Sequence, residues 1–491
     1  MNIEFSTDHI RERIRRMPMA VVSLSLALGI LFSEYVEISV WLWVVLALCS
    51  AAIALRYRAI GTSAVCISLF ALGALLHTLS QPDPLPYGER LRLQLAFDGE
   101  SRLREGYCSA TARISSCNGS RCRSGVVVYT DTTLLFNAGD RAEVIATLHP
   151  FKSHHRSYAS LMYHRGYVGS VNISLGQIES VTYSTSHSLH ERAVLRLRSL
   201  LPRGDARAVV MAMGAGSKAE IDTELTASYS RTGASHLLAV SGLHVGIVFM
   251  LINLLLTPLV LAPAGNIIRS LLAILAIWAY VGLCGMAPSA IRAAIMFSLL
   301  QLSLNSTREY LSGNILAGTA SLMLLFNPNL IFDISFCLSF TAVAGIIFWG
   351  VPLLRLLHIR IPIVRQVVEL LVIGLVSSLA VLPQVSHTFG IIPIVGLLLN
   401  PAVILTANLI LLPTILSLLT PLHLAGGLLR VAEWAALLQN YLVGKCASLP
   451  FASIDYSFSI AEMAATYALF FVATLLSLGF RRSKKVRLPK I

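Results

Sequence analysis

Charged residues are scarce in this sequence: Asp, Glu, Lys and Arg make up 13% of its 491 residues, whereas 55% are hydrophobic. A soluble domain usually carries about twice that charged fraction, so the composition argues against an ordinary soluble protein and for burial in lipid. Acidic residues are the rarer sign, with 25 Asp and Glu against 38 Lys and Arg. The net charge of +13 fits either membrane-topology signals or a polyanionic partner, and alone it does not choose between them.

Long apolar runs are what the sequence has instead. A helix needs roughly 20 residues to cross a hydrocarbon core about 30 Å thick, and the runs predict a polytopic α-helical membrane protein of about 11 spans. Segments 287–304, 391–399 and 424–447 are ambiguous and fit spans, re-entrant segments or surface helices. The clearest spans are predicted at residues 19–33, 40–55, 62–79, 236–258, 267–286, 311–326, 334–350, 366–386, 401–420 and 459–480.

The positions of the basic residues predict how the chain crosses the membrane. By the positive-inside rule the N-terminus, the end of the second span and the tail 481–491 are cytoplasmic, so the three spans of segment 1–80 leave the chain outside. The first arginines resemble the start of a signal peptide, but two further spans follow without a convincing cleavage site, which favours a retained anchor. The residues that carry these signals are Arg11, Arg13, Arg15, Arg16, Arg56, Arg58, Arg481, Arg482, Lys484, Lys485 and Arg487.

Residues 81–185 contain no spanning run and open with a turn-rich segment, which indicates a water-facing domain outside the membrane. Short stretches rich in β-branched residues predict a small β-barrel there, and an OB-like barrel is the first expectation. Residues 85–204 carry 15 Lys and Arg against 9 Asp and Glu. This surplus is either an ordinary solvated surface or a surface that holds a polyanion. The predicted strands lie at 106–114, 125–130, 140–148 and 167–173.

Residues 186–235 are predicted to form amphipathic surface helices that lead into a channel domain at 236–480. From Leu189 apolar residues recur at helical spacing with arginines between them. This pattern predicts a basic amphipathic helix on the outer membrane surface.

Two of the eight cysteines flank a turn in the outer domain. Cys117 and Cys122 enclose Asn-Gly-Ser-Arg on the side of the membrane where disulfides persist, so a local disulfide is predicted, with a pair of free thiols as the alternative. Cys108 makes the external count odd, and its pairing stays open. The remaining cysteines lie in or near apolar runs and are interpreted as packing residues.

Polar and titratable groups cluster in segment 229–246, at the entrance to a long apolar run. Such groups at membrane depth are costly and by default indicate a pathway or a site. On a continuous helix His236, Ser241 and His244 share one face; alternatively Gly242 breaks the helix and opens backbone groups to a water-filled cavity. Both arrangements predict an aqueous lining. No third ligand of suitable spacing accompanies the histidines, so a metal is not expected.

The stretch His236-Leu-Leu-Ala-Val-Ser-Gly-Leu-His-Val resembles the signature of the ComEC competence family. Three further stretches fit the family in the expected order, at 288–296, 327–340 and 382–390, and the last runs on to Asn400. The resemblance covers about residues 205–450, and the predicted outer barrel is similar to the family layout. It implies a channel for one strand of DNA, without sequence preference because phosphate charge dominates the contacts.

Two departures from the family pattern carry consequences. The third motif of the family usually has glutamine where this chain has Cys337, so a polar contact is expected to be missing there. Many family members continue into a metallo-β-lactamase-like domain whose two metals need a His-x-His-x-Asp-His cluster, and the sequence contains none. The stretch Gly214-Ala-Gly-Ser-Lys also lacks the spacing of a phosphate-binding loop. The chain is therefore expected to be neither a nuclease nor an ATPase, and to hold no cofactor.

Between residues 236 and 354 the acidic residues are Glu309 and Asp333, and the basic ones are Arg269, Arg292 and Arg308. Arg308 and Glu309 share a polar turn, and Arg269 lies near a span end where it can snorkel. Arg292 and Asp333 remain. They are hypothesised either to pair across two helices or to line one aqueous path.

The sequence thus predicts an inner-membrane channel for single-stranded DNA, and the resemblance implies a periplasmic DNA receptor and a cytosolic ATPase or single-strand-binding proteins as partners, besides membrane lipids. A small-molecule or lipid-linked transporter of the same fold is the alternative. A membrane hydrolase using Ser241, His244 and Asp333 is a third reading, and it needs hydrogen-bonded contacts among them. The residues expected to line or support the path are His236, Ser241, Gly242, His244, Ser289, Arg292, Asp333 and Ser335.

Overall fold

The computed structural model describes residues 3–5, 16–57, 61–99, 101–104, 106–132, 134–151, 156–184, 188–304, 312–357 and 359–482. Several of the predicted topology signals lie outside this described part of the chain. They are Arg11, Arg13, Arg15, Arg58 and the tail residues Lys484, Lys485 and Arg487. The polar turn with Arg308 and Glu309 also lies outside it.

Three apolar helices occupy the segment expected to be the anchor. The first and third approach until their backbones nearly touch, because a Cβ atom on Gly29 would lie 1.9 Å from the carbonyl oxygen of Phe70, and one on Gly73 would lie 2.4 Å from that of Leu26. Small residues at such crossings provide the close van der Waals packing that holds helices together in lipid. The helices are α1 (Pro18–Tyr35), α2 (Val40–Arg56) and α3 (Gly61–Ser80).

A closed five-stranded β-barrel follows. Its strands are β1 (Arg90–Phe97), β2 (Tyr107–Cys117), β3 (Gly125–Thr130), β4 (Arg141–His149) and β5 (Tyr167–Ile173). Neighbours around the ring follow the order β1, β2, β3, β5, β4 and back to β1. The β3–β5 pair is parallel and the other pairs are antiparallel.

The barrel interior is filled by every second residue of its strands. Leu91, Leu93, Leu95 and Phe97 of β1 are at most 3% exposed and alternate with more exposed residues. This period of two is the pattern of a strand with one buried face. The stretches predicted as strands from residue 106 onward are confirmed, whereas the first strand was not predicted.

Four helices join the barrel to the membrane domain or lie beside it. Helix α4 (Arg156–His164) connects β4 to β5, and α5 (Leu189–Leu200), α6 (Asp205–Gly214) and α7 (Thr223–Arg231) follow the barrel. The placement of α5 on the outer membrane surface stays a prediction, and part of its apolar face is covered by protein. Val194 and Leu197 are buried in a core cluster shared with the helices that follow.

The remaining helices form the membrane domain. Counted together with α1, α2 and α3, the described part of the chain has six helices long and apolar enough to cross a membrane, and five shorter apolar ones of 10–17 residues. One of the six is Ile334–Leu356, which contains the π-helical turn Ile346–Gly350. The protein is therefore a helical membrane protein that carries a β-barrel. The helices are α8 (Gly242–Leu255), α9 (Gly265–Leu283), α10 (Pro288–Leu304), α11 (Ser312–Phe326), α12 (Ile334–Gly345), α13 (Val351–Leu356), α14 (Pro362–Phe389), α15 (Gly396–Leu419), α16 (Leu422–Ala447) and α17 (Ile460–Gly479).

The three segments that were ambiguous in the sequence take different forms. Residues 287–304 contain the single helix α10, and 424–447 lie within the 26-residue helix α16. Residues 391–399 begin as the short strand Ile391–Pro393, which pairs with Ser453–Asp455, and then enter α15.

Candidate functional site

The first of the four motif stretches, which begins at His236, does not form one continuous helix. A new helix begins directly after Ser241. Ser241 is the N-cap of α8, and the backbone N–H of His244 donates to its hydroxyl over 3.4 Å. The Nδ1 atom of His244 accepts the backbone N–H of Ser241 over 3.2 Å, which completes a reciprocal capping box. His236 belongs to a separate 3-10 turn. The continuous helix that was one of the two predicted arrangements is therefore not formed, and the helix starts at Gly242.

The two histidines of this motif have different surroundings. His236 is exposed, and its Nδ1 lies 3.1 Å from the carbonyl oxygen of Gly233. His244 is fully buried, and its Nε2 has no hydrogen-bond partner among the described residues. The predicted aqueous lining therefore fits the His236 end of the motif better than the ring of His244.

Glycines bring α8 against α10. A Cβ atom on Gly242 would lie 3.8 Å from the Cβ of Ala293, and one on Gly246 would lie 3.1 Å from the ring of Phe297. Ser289, at the start of α10, donates its hydroxyl hydrogen to the carbonyl oxygen of Val240. The first and second motifs are thus joined both by packing and by a hydrogen bond.

Arg292 connects the second motif to the third. Its side chain lies on α10, is 4% exposed, and donates from Nη2 to the hydroxyl of Ser335 over 2.9 Å. Its Nε atom is buried and has no partner among the described residues. Ser335 itself is exposed. The guanidinium is therefore buried but only one hydrogen bond away from an accessible surface.

Asp333 caps a helix and forms an ion pair with a residue other than Arg292. It is the N-cap of α12 and accepts the backbone N–H groups of Ser335 and Phe336 over 2.8 and 3.4 Å. Its other oxygen forms an ion pair with Arg165 of the barrel, with Nη2 at 2.8 Å and Nε at 3.2 Å. Asp333 therefore forms its ion pair with Arg165. One of the two sequence hypotheses paired Asp333 with Arg292, and the described residues do not form that ion pair.

The fourth motif and the chain just beyond it make contacts with other segments of the membrane domain. A Cβ atom on Gly396, just beyond this motif, would lie 2.5 Å from the carbonyl oxygen of Thr232, immediately before the first motif. Within the fourth motif, Ser386 donates its hydroxyl hydrogen to the carbonyl of Tyr456, and the Nδ1 of His387 lies 2.7 Å from the carbonyl of Phe458. The fourth motif is therefore bonded to the segment before α17, and the chain beyond it packs against the chain that precedes the first motif.

The three residues of the hydrolase reading do not form a relay. The Nδ1 of His244 accepts the Ser241 backbone N–H, so it does not contact the Ser241 hydroxyl as a base would. Asp333 is bound to Arg165.

Cys337, which stands where the family usually has glutamine, donates its thiol hydrogen to the carbonyl of Ile331 over 3.1 Å.

Sequence reasoning missed a buried polar network behind the site. The Nε2 of Gln439 donates to the hydroxyl oxygen of Tyr229 over 3.0 Å, and its Oε1 accepts the Thr406 hydroxyl over 2.9 Å. The Tyr229 hydroxyl donates to Asn440 over 2.7 Å. Gln439 and Tyr229 are fully buried, and a glutamine within an apolar helix was the signal that could have found them.

The predicted disulfide partners lie in the barrel. Cys117 and Cys122 are free thiols that pack partly buried against the barrel core. Burial and the neighbouring Cys122 both raise the pKa of the Cys117 thiol. The bridge between them stays a prediction.

Elsewhere in the barrel, burial and the hydrogen bond to Asp98 raise the pKa of Tyr167 to about 12.

Comparison with known proteins gives a consistent result. The chain is 26% identical over 298 residues to ComE operon protein 3 of Bacillus subtilis (strain 168), which covers 59% of this chain and 36% of that protein. It is 27% identical over 250 residues to the uncharacterized protein YcaI of Escherichia coli (strain K12), covering 49% of this chain and 32% of that one. An uncharacterized protein of Aquifex aeolicus (strain VF5) is 38% identical over 131 residues, covering 27% and 30%.

The matched stretches span about a third of the length of these relatives. No solved structure matches the chain significantly. The sequence profile of competence proteins matches residues 213–481, which is more than half of the chain and includes all four motifs. The chain therefore belongs to the ComEC family of competence proteins.

Proposed function

We propose that this chain forms the inner-membrane conduit through which one strand of DNA enters the cytoplasm during natural transformation. Membership in the competence family and similarity to ComE operon protein 3 support a role in DNA uptake. The finer proposal, a path that binds a single strand through its phosphates, rests on the surroundings of Arg292.

In the described part of the chain, Arg292 is a buried cation that forms no direct ion pair with a carboxylate. Its guanidinium contacts the neutral hydroxyl of Ser335, while the Asp333 carboxylate is paired with Arg165. A buried charge without a direct counterion is costly for a fold, so its presence argues for a function. A planar guanidinium binds phosphate through two parallel N–H donors, and phosphate is the group that every nucleotide presents.

The proposed path leads from the barrel to this arginine. The six long and five shorter apolar helices support about 11 crossings. The ring order and the single parallel pair support an OB-like barrel, a fold that binds oligonucleotides. In this arrangement the barrel is extracytoplasmic and both termini are cytoplasmic. Exposed His236, Ser335 and Gly242 flank the path.

The proposed partners follow from this role. A periplasmic DNA receptor delivers the strand, and a cytosolic ATPase or single-strand-binding proteins draw it inward. The chain itself acts as a conduit and not as an enzyme, and it needs no cofactor for passage.

The test replaces Arg292 in a transformable cell that lacks its own relative and expresses this chain. We expect Arg292→Gln to lower the amount of nuclease-protected DNA about 10- to 150-fold, the loss of one hydrogen-bonded charged contact. Arg292→Lys retains the charge but not the planar fork, so an intermediate value is expected. DNA bound at the outer surface is measured in parallel and stays unchanged.

Arg269→Gln is the matched control. Arg269 lies with Gln301 on a separate cavity of about 290 Å³. Gln301 is about 13 Å beyond Arg292 along α10, at 1.5 Å per residue. Variants are compared at equal amounts in the membrane. Wild-type uptake by Arg292→Gln overturns the proposal, a growth or envelope defect in cells without the chain favours the transporter, and labelling of Ser241 by an activity probe favours the hydrolase.

A further inference from the structure

Three side chains that are distant in sequence converge where the barrel meets the first helices. Glu34 lies at the end of α1, His77 near the end of α3, and His164 at the end of α4. The Oε2 of Glu34 is 3.3 Å from the Nε2 of His77, and its Oε1 is 3.5 Å from the Nε2 of His164. All the nearest ligand atoms of the three lie within 4.8 Å of one another.

The hydrogen bonds of His77 favour the tautomer with hydrogen on Nδ1, which leaves Nε2 free to bind a metal ion. The Ser33 hydroxyl donates to the carbonyl of Ile30 over 2.9 Å, and its oxygen lies 2.9 Å from the Nδ1 of His77, so it can accept the hydrogen of the Nδ1–H tautomer. The imidazole Nε2 then presents a lone pair toward Glu34. A second group that fixes the tautomer in this way is typical of histidines that bind metals.

His164 is held in place from the opposite side. Its ring stacks on Phe332, with centroids 4.0 Å apart and planes 14° apart, and its side chain is 8% exposed. Its Nδ1 is buried without a hydrogen-bond partner among the described residues. The ring is therefore oriented by packing, with Nε2 toward Glu34.

We propose that Glu34, His77 and His164 bind a divalent ion of the zinc class and thereby fasten the barrel to helices α1 and α3. Two imidazoles and one carboxylate bind zinc in several metalloenzymes, where water takes the fourth position. Ligand atoms at about 2.05 Å in a tetrahedron lie about 3.3 Å apart, which agrees with the two separations measured here. Two imidazoles favour zinc over magnesium or calcium.

One contact competes with the ion. The amide Nε2 of Gln81 lies 3.0 Å from the Nε2 of His77 and donates to its lone pair. Binding of the ion displaces this hydrogen bond. Gln81→Ala removes the competitor, so it is expected to tighten zinc binding about two- to tenfold.

The experiment uses the full chain in detergent, without an affinity tag, stripped by chelator and then titrated with Zn²⁺ and with Co²⁺. We expect about one ion per chain and the visible absorption of tetrahedral cobalt. His164→Ala and Glu34→Gln abolish both signals. The control His149→Ala, which removes an exposed histidine of the same barrel, retains them.

The outcomes separate the alternatives. Absence of stoichiometric zinc in the wild type, or wild-type binding by His164→Ala, overturns the proposal. If His164→Ala does not fold, Gln81→Ala decides: tighter binding supports the site, and unchanged or weaker binding overturns it. DNA uptake does not enter this test, so its result is independent of the proposed conduit.

Discussion

The ring of His164 stacks on the ring of Phe332, with centroids 4.0 Å apart, and the residues that follow each of them form the Arg165–Asp333 ion pair. Two consecutive residues where α4 ends thus meet two consecutive residues of the third motif. The barrel is therefore attached to the same segment that supports Arg292 through Ser335. A movement of α4 would therefore be transmitted to the segment that supports Arg292.

Phe332→Ala is expected to loosen this attachment. An aromatic stack contributes about 0.5–1.5 kcal/mol, so local opening at the end of α4 becomes roughly 2- to 12-fold more frequent. Hydrogen exchange of the amides in 156–166 measures it. Phe326→Ala, which removes an aromatic side chain that is 84% exposed, is the control. Equal exchange in both variants would contradict the role given to the stack.

Asp333→Ala is expected to destabilise the protein more than Arg165→Ala. Arg165 is 48% exposed, and a solvent-exposed ion pair contributes at most about 1 kcal/mol. Asp333 also caps α12, and loss of an N-cap costs about 0.5–2 kcal/mol. Asp333→Asn keeps an oxygen acceptor and should resemble Arg165→Ala. Thermal unfolding in detergent gives the comparison, and equal losses for the two alanine variants would rule out the capping role.

The sequence predicted the elements that have strong local patterns. The barrel strands from residue 106, the apolar helices and the polar first motif all carried their own periodicity or composition. The first strand carries a strict alternation as well, from Arg90 to Phe97, and was missed because it follows directly on a turn-rich segment. Its alternation of polar and apolar residues is by itself the signal of a strand with one buried face.

Contacts between side chains from distant segments could not be predicted, because local sequence patterns do not show which segments pack together. Scarcity of charge singled out Arg292 and Asp333, but the partner of Asp333 is Arg165, 168 residues away in the sequence. Arg165 looked like one of many surface arginines, since nothing in its neighbourhood indicates docking. The same holds for Glu34, His77 and His164, which come together only when α1, α3 and α4 pack.

Cys117 and Cys122 are expected to form a disulfide when the barrel is exported to an oxidising compartment. Because its pKa is raised, Cys117 holds little thiolate at neutral pH, so a catalyst of oxidation is needed. Closing so short a loop contributes about 2 kcal/mol of stability. Peptide mass spectrometry without reductant detects the link. Buried Cys108 is the internal control, alkylated only after denaturation; free thiols at 117 and 122 would refute the bridge.

Gly29→Ala is expected to disrupt the N-terminal helices. The added methyl group would meet the backbone carbonyl of Phe70 at 1.9 Å, and a backbone atom cannot rotate away as a side chain can. Overpacking of this kind costs about 1–3 kcal/mol or forces the helices apart. Gly374→Ala is the matched control, because nothing lies within 4 Å of its Cβ position in α14. That change is expected to be neutral or to stabilise by about 0.4–1 kcal/mol through the unfolded chain. The melting temperatures in detergent distinguish the two, and similar values would show that α1 and α3 do not pack through Gly29.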